Sequence, residues 1–411
     1  MSSRLHLPPA LKHRRFTSLW LGMFISNAGS QMQLWALFWH LRALSDQPVT
    51  VSGIGLARFL PLLLFSLFGG VVADRFNRRS IMFISQVVMT LTALGFWALT
   101  GTGVIRIWHL YILTAIQAAA LAFDIPARHS IIPNLVPRRD LTNAFSLTSI
   151  SNNLGSIIGP SLSGFVIGYL GQEYTYLLNA VSFLAVIISL ILIGPVAQET
   201  IASAGRKNSF NAIREGVQFI RSHPIILSSM LLDFFATFFS AANTLLPFVA
   251  VDILGVGPVA YGWLSAGQAV GAATIGLIIS QRLKIAHQGR LILISVAVFG
   301  LATIAFGLSR TFTITMISLI LVGGADAVST ILRNTIRQVL TPDYIRGRMV
   351  SINQIFFYGG PQLGEIEAGL AAQFFGPSLA IISGGAGCIL AVAVIAWRWS
   401  SLRTYDGSES E

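Results

Sequence analysis

Cysteine is almost absent from this chain, which has a single one, Cys388, among 411 residues. One cysteine excludes an internal disulfide bond and a cysteine-based metal site. Histidine, aspartate and cysteine form no cluster of the kind that an active site requires, so we expect a protein that is not an enzyme and has no cofactor or metal. The nucleotide-binding pattern G-x-x-x-x-G-K-[ST] is also missing, which argues against ATP as the direct energy source.

Charge is scarce as well, at 10% of residues, whereas soluble domains carry about 25%. Hydrophobic residues make up 54% of the chain, and the mean hydropathy is +0.72. This composition indicates an integral membrane protein. The first fifteen residues are basic and polar and contain no short apolar core before a cleavage site, so we expect no removable signal peptide.

The few charges follow a pattern. The net charge is +11, and 23 of the 27 Lys and Arg lie in seven stretches that alternate with six stretches holding only three. Arg58 stands alone inside an apolar run. Cytoplasmic loops of membrane proteins carry the excess of basic residues, so the pattern predicts an even number of crossings with both termini in the cytoplasm. We expect a multi-pass protein of the inner membrane whose partner is the lipid bilayer and not nucleic acid.

Twelve apolar runs have about the 20 residues that are needed to cross about 30 Å of hydrocarbon. They cover residues 17–41, 51–73, 80–101, 107–127, 141–170, 174–196, 225–251, 259–281, 291–308, 312–332, 349–375 and 377–399. A lone span can pair its backbone groups only within itself, so the runs must be helices. The predicted fold class is an all-α integral membrane protein with twelve transmembrane helices.

The longest polar interruption runs from Gln198 to Pro224. It divides the chain into two six-helix bundles, 1–197 and 225–411, joined by a cytoplasmic linker, 198–224. Apolar residues at three- and four-residue steps predict a short amphipathic helix in the linker: Phe210, Ile213, Val217 and Ile220. This helix either lies on the membrane surface or only tethers the two bundles.

The two halves also resemble each other in sequence. Three residues are followed by the same residue type 205 positions later, as Arg128 with Arg333, Pro137 with Pro342 and Ser146 with Ser351. Because 205 is close to half the length of the chain, an internal duplication is the economical explanation. Duplicated bundles around a central site are the architecture of many secondary transporters.

One loop carries a recognisable signature. Between spans two and three the chain reads Gly70-Val-Val-Ala-Asp74-Arg75-Phe-Asn77-Arg78-Arg79. This resembles the loop G-x-L-a-D-R-x-G-R-R of the major facilitator superfamily, with Val and Asn where the pattern has Leu and Gly. Asn tolerates a left-handed backbone, so the tight turn can survive.

The resemblance implies a function for this loop. In members of the superfamily, such an aspartate and its arginines close the cytoplasmic side. The arginines pair with an acid near the cytoplasmic end of span four. Here Asp74, Arg78 and Asp124 would form the latch, in which charge-assisted contacts hold one state and release another. The alternative is that Arg75, Arg78 and Arg79 only enforce topology.

Span five carries small residues at steps of four or five, which let helices approach closely: Gly155, Gly159, Pro160 and Gly164. The segment resembles the antiporter motif of superfamily exporters. A narrower resemblance covers most of the chain, carried by residues 25–33, 58–61, 126–128, 132–133 and 342–348. These segments resemble the enterobactin-exporter-like group, the drug:proton antiporter-3 family, whose members export siderophores and macrolides.

Four charged residues lie deep inside predicted spans: Arg58, Asp233, Glu365 and Glu367. Each costs at least about 2.5 to 3.5 kcal/mol on insertion scales, so each needs a partner, a wet cavity or a function. Spans two and eleven face each other in the superfamily, which predicts that Arg58 pairs with one of the two glutamates as an outer gate. Asp233, among phenylalanines, is predicted to carry the proton, unless it is purely structural.

Uncharged polar residues at membrane depth are candidates for the cavity lining, and interhelical hydrogen bonding explains each equally well. They are Asn27, Gln31, Gln33, Gln117, Asn243 and Gln268. Together, these features predict a monomeric secondary exporter that exchanges protons for an amphipathic small molecule, siderophore- or drug-like, by alternating access. An uptake symporter or facilitator of the same fold is the alternative.

Overall fold

The computed structural model describes residues 8–196, 209–281 and 285–407, and nearly all of these are helical. The helices are α1 (Arg14–Leu44), α2 (Pro48–Arg75), α3 (Arg78–Gly101), α4 (Ile107–Ile131), α5 (Leu141–Tyr169), α6 (Gln172–Ile193), α7 (Ser209–Ser222), α8 (Pro224–Phe239), α9 (Leu246–Phe248), α10 (Pro258–Ser280), α11 (Gln288–Leu308), α12 (Phe312–Val339), α13 (Asp343–Phe375), α14 (Pro377–Arg398) and α15 (Ser400–Thr404). Eleven of the twelve predicted spans each fall on a single helix. The predicted span 225–251 is broken, because α8 ends at Phe239 and the chain becomes helical again only at 243–253, where α9 continues into a π-helical turn, Val249–Ile253.

Nine helical segments in the described part of the chain are long and apolar enough to cross a membrane. Three further long helices, α1, α5 and α13, are interrupted by Ser, Asn, Gln or charged residues and are not among the nine. The structure therefore shows a multi-helix membrane protein, and twelve crossings remain a proposal.

The chain separates into two compact units. Unit 1 contains Met1–Leu44, Ala57–Ala202 and Pro258–Ala266, and unit 2 contains Ser45–Leu56, Ser203–Gly257 and Gly267–Glu411. The start of α10 thus belongs with unit 1, where the Tyr261 hydroxyl donates to the Trp35 carbonyl at 2.9 Å. The predicted boundaries at 197 and 225 do not include the exchange of the two short segments Ser45–Leu56 and Pro258–Ala266. They remain predictions.

In unit 1, α1 packs against α5 and α6, while α3 packs against α4 and α6. Side chains from these helices share one apolar core, in which Phe16, Leu19, Met82, Ile131 and Leu190 are buried. Lipid tails are as apolar as these side chains, so the hydrophobic effect does not drive helices together within the membrane. Van der Waals contacts between closely packed helices hold them together instead.

Unit 2 uses the same scheme with other helices. Here α8 packs against α13 and α14, while α11 packs against α12 and α14. In this arrangement α8, α11, α12, α13 and α14 take the places of α1, α3, α4, α5 and α6. An internal duplication predicts this recurrence.

The linker helix α7 belongs to unit 2. Its apolar residues Phe219 and Ile220 are buried in a cluster with Met230 of α8 and Met349 of α13. A salt bridge joins Glu215 to Arg348, on α13. The part of the helix that the structure describes is therefore docked on its own unit. Residues 197–208 of the linker lie outside the described residues.

Within unit 2, α10 and α12 approach each other at glycines. A Cβ added to Gly271 would lie 1.9 Å from the Ile320 carbonyl oxygen, and one added to Gly323 would lie 1.8 Å from that of Gln268. No side chain fits at either position. In contrast, a Cβ on Gly276, also on α10, would meet nothing within 4 Å.

We predict that Gly271→Ala lowers the free energy of unfolding by about 1–3 kcal/mol, because the methyl group forces the two backbones apart. The matched variant Gly276→Ala should keep or raise stability, since alanine favours helix by up to about 1 kcal/mol over glycine. Thermal unfolding of the purified protein in detergent, followed by tryptophan fluorescence, measures both. Equal stability of the two variants would contradict the close approach.

Candidate functional site

The main cluster of buried charge lies in unit 2, between α8 and α12. Asp233 and Arg333 are 2% and 1% exposed, and Arg333 Nη2 lies 2.9 Å from Asp233 Oδ1. A second guanidinium reaches the same carboxylate, with Arg337 Nη2 3.7 Å from Asp233 Oδ2. Asp233 is thus held by two arginines of a neighbouring helix, and at this depth only such pairing offsets the cost of burial.

A second carboxylate joins the cluster from α12 itself. Asp326 Oδ1 lies 3.8 Å from Arg333 Nη2, and its side chain is 47% exposed. The Thr330 hydroxyl donates to Asp326 at 3.4 Å, and Arg333 Nη2 donates to the Thr330 hydroxyl at 3.0 Å. One guanidinium is therefore shared by two acids, tightly with Asp233 and loosely with Asp326. Arg337 also donates to Asn353 of α13.

Helical periodicity explains this arrangement. Asp326, Arg333 and Arg337 are separated by seven and four residues, close to two turns and one turn, so they form one stripe on α12. The sequence pattern singled out Asp233, whereas Arg333 and Arg337 were counted among the basic residues that set the membrane topology. The stripe of one acid and two bases, continuous with an apolar helix, is the signal that would have found them.

Unit 1 holds a simpler pair in the corresponding helix, α4. Asp124 is fully buried and is bound by Arg128, one turn later on the same helix, at 2.5 Å. Gln86 of α3 donates to its other oxygen at 3.1 Å. This pair of one acid and one base occupies the position in unit 1 that corresponds to the cluster of two acids and two bases in unit 2.

The predicted cytoplasmic latch is only partly visible. Arg78 donates to the Ser130 carbonyl at 3.0 Å, and Arg79 donates to the Leu190 carbonyl at 2.7 Å, so both arginines bind the ends of neighbouring helices. Gly70 lies within α2, but the side chains of Asp74 and Arg75 lie outside what the structure describes. The latch therefore stays a prediction.

The predicted cavity residues are joined to neighbouring helices. In unit 1, Asn27 donates to Asn152 at 2.6 Å and Gln31 to Ser156 at 3.5 Å. In unit 2, Gln268 donates to Asn243 at 3.1 Å. These contacts agree with the interhelical alternative for all four residues, and their place in a cavity stays a prediction.

A chain of buried amides crosses unit 1. Asn179 of α6 donates to Gln33 of α1 at 2.6 Å, and Gln33 donates to Gln117 of α4 at 2.7 Å. Ser182 adds a hydrogen bond to Asn179 at 2.9 Å. The chain ties three helices together and gives Gln117 an interhelical role.

The glycines of α5 lie at helix crossings. A Cβ on Gly155 would be 3.2 Å from the Asn27 Cβ, and one on Gly159 would be 2.7 Å from the Ala28 carbonyl oxygen, both on α1. A Cβ on Gly164 would lie 2.8 Å from the Gly262 Cα of α10. Pro160 is buried in the same stretch of helix.

The two glutamates of α13 have different surroundings. Glu365 is 6% exposed, and its Oε2 would lie 2.8 Å from a Cβ on Gly55 of α2. One turn away, Ser52 shares a 2.9 Å hydrogen bond with Thr244. Glu367 lines a groove on the surface of unit 2. Arg58, three residues after Gly55, belongs to unit 1, so its pairing with a glutamate stays a prediction.

The sequence matches a known protein family. The model of a major facilitator family described as "transmembrane secretion effector" matches residues 7–411. The chain is 26% identical to the enterobactin exporter EntS of Citrobacter koseri over 395 residues, 92% of this chain and 91% of that protein. It is 24% identical to YfiS of Bacillus subtilis, an uncharacterised MFS-type transporter, over 354 residues, 84% of this chain and 83% of that protein.

Solved structures show the same fold. A bacterial homologue of the human lysosomal transporter Spinster, in an inward-facing and occupied conformation, superimposes with a TM-score of 0.73 at 15% identity, covering 98% of this chain and all of that one. A POT family transporter in complex with 5-aminolevulinic acid gives a TM-score of 0.74 at 14% identity, covering 95% and 96%. At these identities the likeness concerns the fold alone.

The buried cluster predicts a non-additive response to mutation. Asp233→Leu should lower the free energy of unfolding by about 3–5 kcal/mol, because it leaves two buried guanidiniums without their carboxylate. The double variant Asp233→Leu/Arg333→Met, which removes one acid and one base together, should be more stable than Asp233→Leu alone. Thermal unfolding in detergent measures the series, with Glu173→Gln as a control away from the cluster. Additive losses would show that the two residues are not coupled.

Proposed function

This chain belongs to the transmembrane secretion effector family of the major facilitator superfamily, and on that premise we propose that it is a proton-coupled exporter of amphipathic small molecules. Export is supported by the similarity to enterobactin exporters across more than nine tenths of the chain. The proposal includes twelve crossings in two six-helix bundles, cytoplasmic termini, a monomeric protein and siderophore- or drug-like cargo.

The four-charge cluster of unit 2 carries the proposal of proton coupling. An exporter driven by a proton gradient needs an acid that can bind and release a proton within the membrane. Asp233 fits this requirement poorly, since a proton on it would weaken its contacts with both arginines, leaving buried Arg337 without a carboxylate and Arg333 with only its loose contact to Asp326.

Asp326 fits better. Its distance of 3.8 Å from Arg333 indicates a weak pairing, and its side chain, which is 47% exposed, is far less enclosed than that of Asp233. When Asp326 is protonated, Arg333 keeps its 2.9 Å partner Asp233, so no buried base is left alone. The charged groups that face Asp326 are Arg333 on its own helix and Asp233 on α8. We assign the proton to Asp326 and a structural role to Asp233.

The proposal has a direct test. The purified protein in liposomes is given an imposed pH gradient and tested with a catecholate siderophore, a macrolide and a lysophospholipid. We expect gradient-dependent movement of at least one of them, whereas movement of none would overturn the proposal. In cells loaded with the transported compound, expression should lower retention. Higher retention would favour the uptake alternative.

Asp326→Asn should abolish the dependence of transport on the pH gradient, with a loss of tenfold or more in driven transport. Exchange of labelled for unlabelled cargo without a gradient should persist, because that reaction needs no net proton movement. Gradient-driven and exchange rates in liposomes measure the two, with Glu173→Gln as the control acid. Undiminished driven transport by Asp326→Asn would disprove the assignment.

The outer gate remains part of the proposal, supported by the position of Glu365 against α2. We predict that Arg58→Glu is inactive and that Arg58→Glu/Glu365→Arg recovers part of the transport by restoring an opposite pair. The matched double variant Arg58→Glu/Glu367→Arg should not recover, because residues two apart on a helix point about 200° apart. Transport assays in cells compare them, and equal rescue by both would contradict a specific pair.

A further inference from the structure

A groove lies beside the end of α8. That helix stops at Phe239, and the chain turns through residues 240–245, whereas α13 continues to Phe375. The two helices touch at Gly364, where a Cβ would lie 2.1 Å from the Phe238 carbonyl oxygen. Past this contact a groove of about 440 Å³ is lined by Phe238, Leu363, Ile366, Glu367, Leu370, Ala371 and Phe374.

Glu367 is the one charged group among these lining residues. It lies eight residues from the end of α13, a depth of about 12 Å at 1.5 Å per residue. In the part of the chain that the structure describes, its carboxylate makes no ion pair and no hydrogen bond. Asp124 and Asp233, which are also buried acids of the predicted spans, are both paired with arginine.

In its charged form, a carboxylate in this otherwise apolar groove at membrane depth needs a counter-charge from outside the described residues. A lipid chain alone would leave the charge unpaired, at a cost of about 2.5 to 3.5 kcal/mol. A ligand that brings a positive charge together with apolar surface satisfies both parts of the groove.

The aromatic lining favours the same ligand. Phe238 and Phe374 belong to the groove, and Phe374 is 79% exposed. Aromatic faces attract cations, most strongly where water is excluded. The volume of about 440 Å³ lies within the usual range for small-molecule sites, about 300–1,000 Å³.

We propose that this groove binds lipophilic cations, compounds with an apolar body around an ammonium or phosphonium centre, with Glu367 as the counter-charge. The inference rests on the proposed export function and names one class of cargo for it. It also separates the two glutamates of α13, since Glu365 lies against α2 and Glu367 faces the groove.

Equilibrium binding tests the proposal without transport. Radiolabelled tetraphenylphosphonium is added to the purified full-length protein in detergent, and neutral triphenylphosphine oxide serves as competitor. We expect saturable binding of the cation, little competition by the neutral compound, and affinity about tenfold or more weaker in Glu367→Gln. Glu173→Gln, which removes an acid elsewhere, should bind like the unmodified protein.

Two further variants separate the groove from the charge. Ala371→Trp fills the groove and keeps the carboxylate, so it should also abolish binding, whereas Leu379→Trp, on the exposed face of α14, should not. Size-exclusion profiles establish that each variant is folded. These two results keep the inference testable even where Glu367→Gln expresses poorly.

Different results would contradict the inference and the proposed function. No cation binding, or equal binding by Glu367→Gln, overturns the inference. Competition by the neutral compound as strong as that by the cation identifies a groove for lipid chains and overturns it as well. Because binding needs no gradient, a failed export assay with intact cation binding would refute the proposed function alone. Siderophore export without cation binding would refute only this inference.

Discussion

The cost of placing charge in hydrocarbon governs the whole molecule. Water is absent there, so every buried carboxylate or guanidinium needs a partner supplied by the protein or by a ligand. The Asp233–Arg333 pair meets this requirement by joining α8 to α12, and the same two helices supply the rest of the cluster. The pair therefore constrains how these helices meet, and the proposed proton carrier, Asp326, is the more loosely held acid beside it.

Two copies of one packing scheme carry different chemistry. In unit 1, α4 holds one acid and one base, Asp124 and Arg128, which neutralise each other within a single helix. In unit 2, the corresponding arginine, Arg333, is shared by acids on two helices. A shared guanidinium can change its preference when one acid gains a proton, whereas a closed pair cannot. We therefore propose that proton coupling uses the cluster of unit 2, whereas unit 1 holds hydrogen-bond networks such as the Gln33 amide chain.

Three acids of unit 2 differ in their surroundings. Asp233 is buried and bound twice, Asp326 is half exposed and bound loosely, and Glu367 lies in an apolar groove with no partner among the described residues. The roles proposed for them are, in the same order, structure, proton coupling and ligand binding.

The sequence by itself determined the membrane class, the helical fold and the family resemblance, because long apolar runs, basic loops and the segment from Gly70 to Arg79 are local patterns. The family was confirmed by the match over residues 7–411. Asp233, Glu365 and Glu367 could also be identified from the sequence, since charge within an apolar run stands out. Their partners could not. Whether an acid is paired depends on residues that are distant in the chain, such as Asp233 and Arg333, one hundred positions apart. Only helix packing decided that Arg333 neutralises Asp233, that Glu365 lies against α2 and that Glu367 is left in a groove, because the 3.6-residue period sends neighbours on one helix to different surroundings.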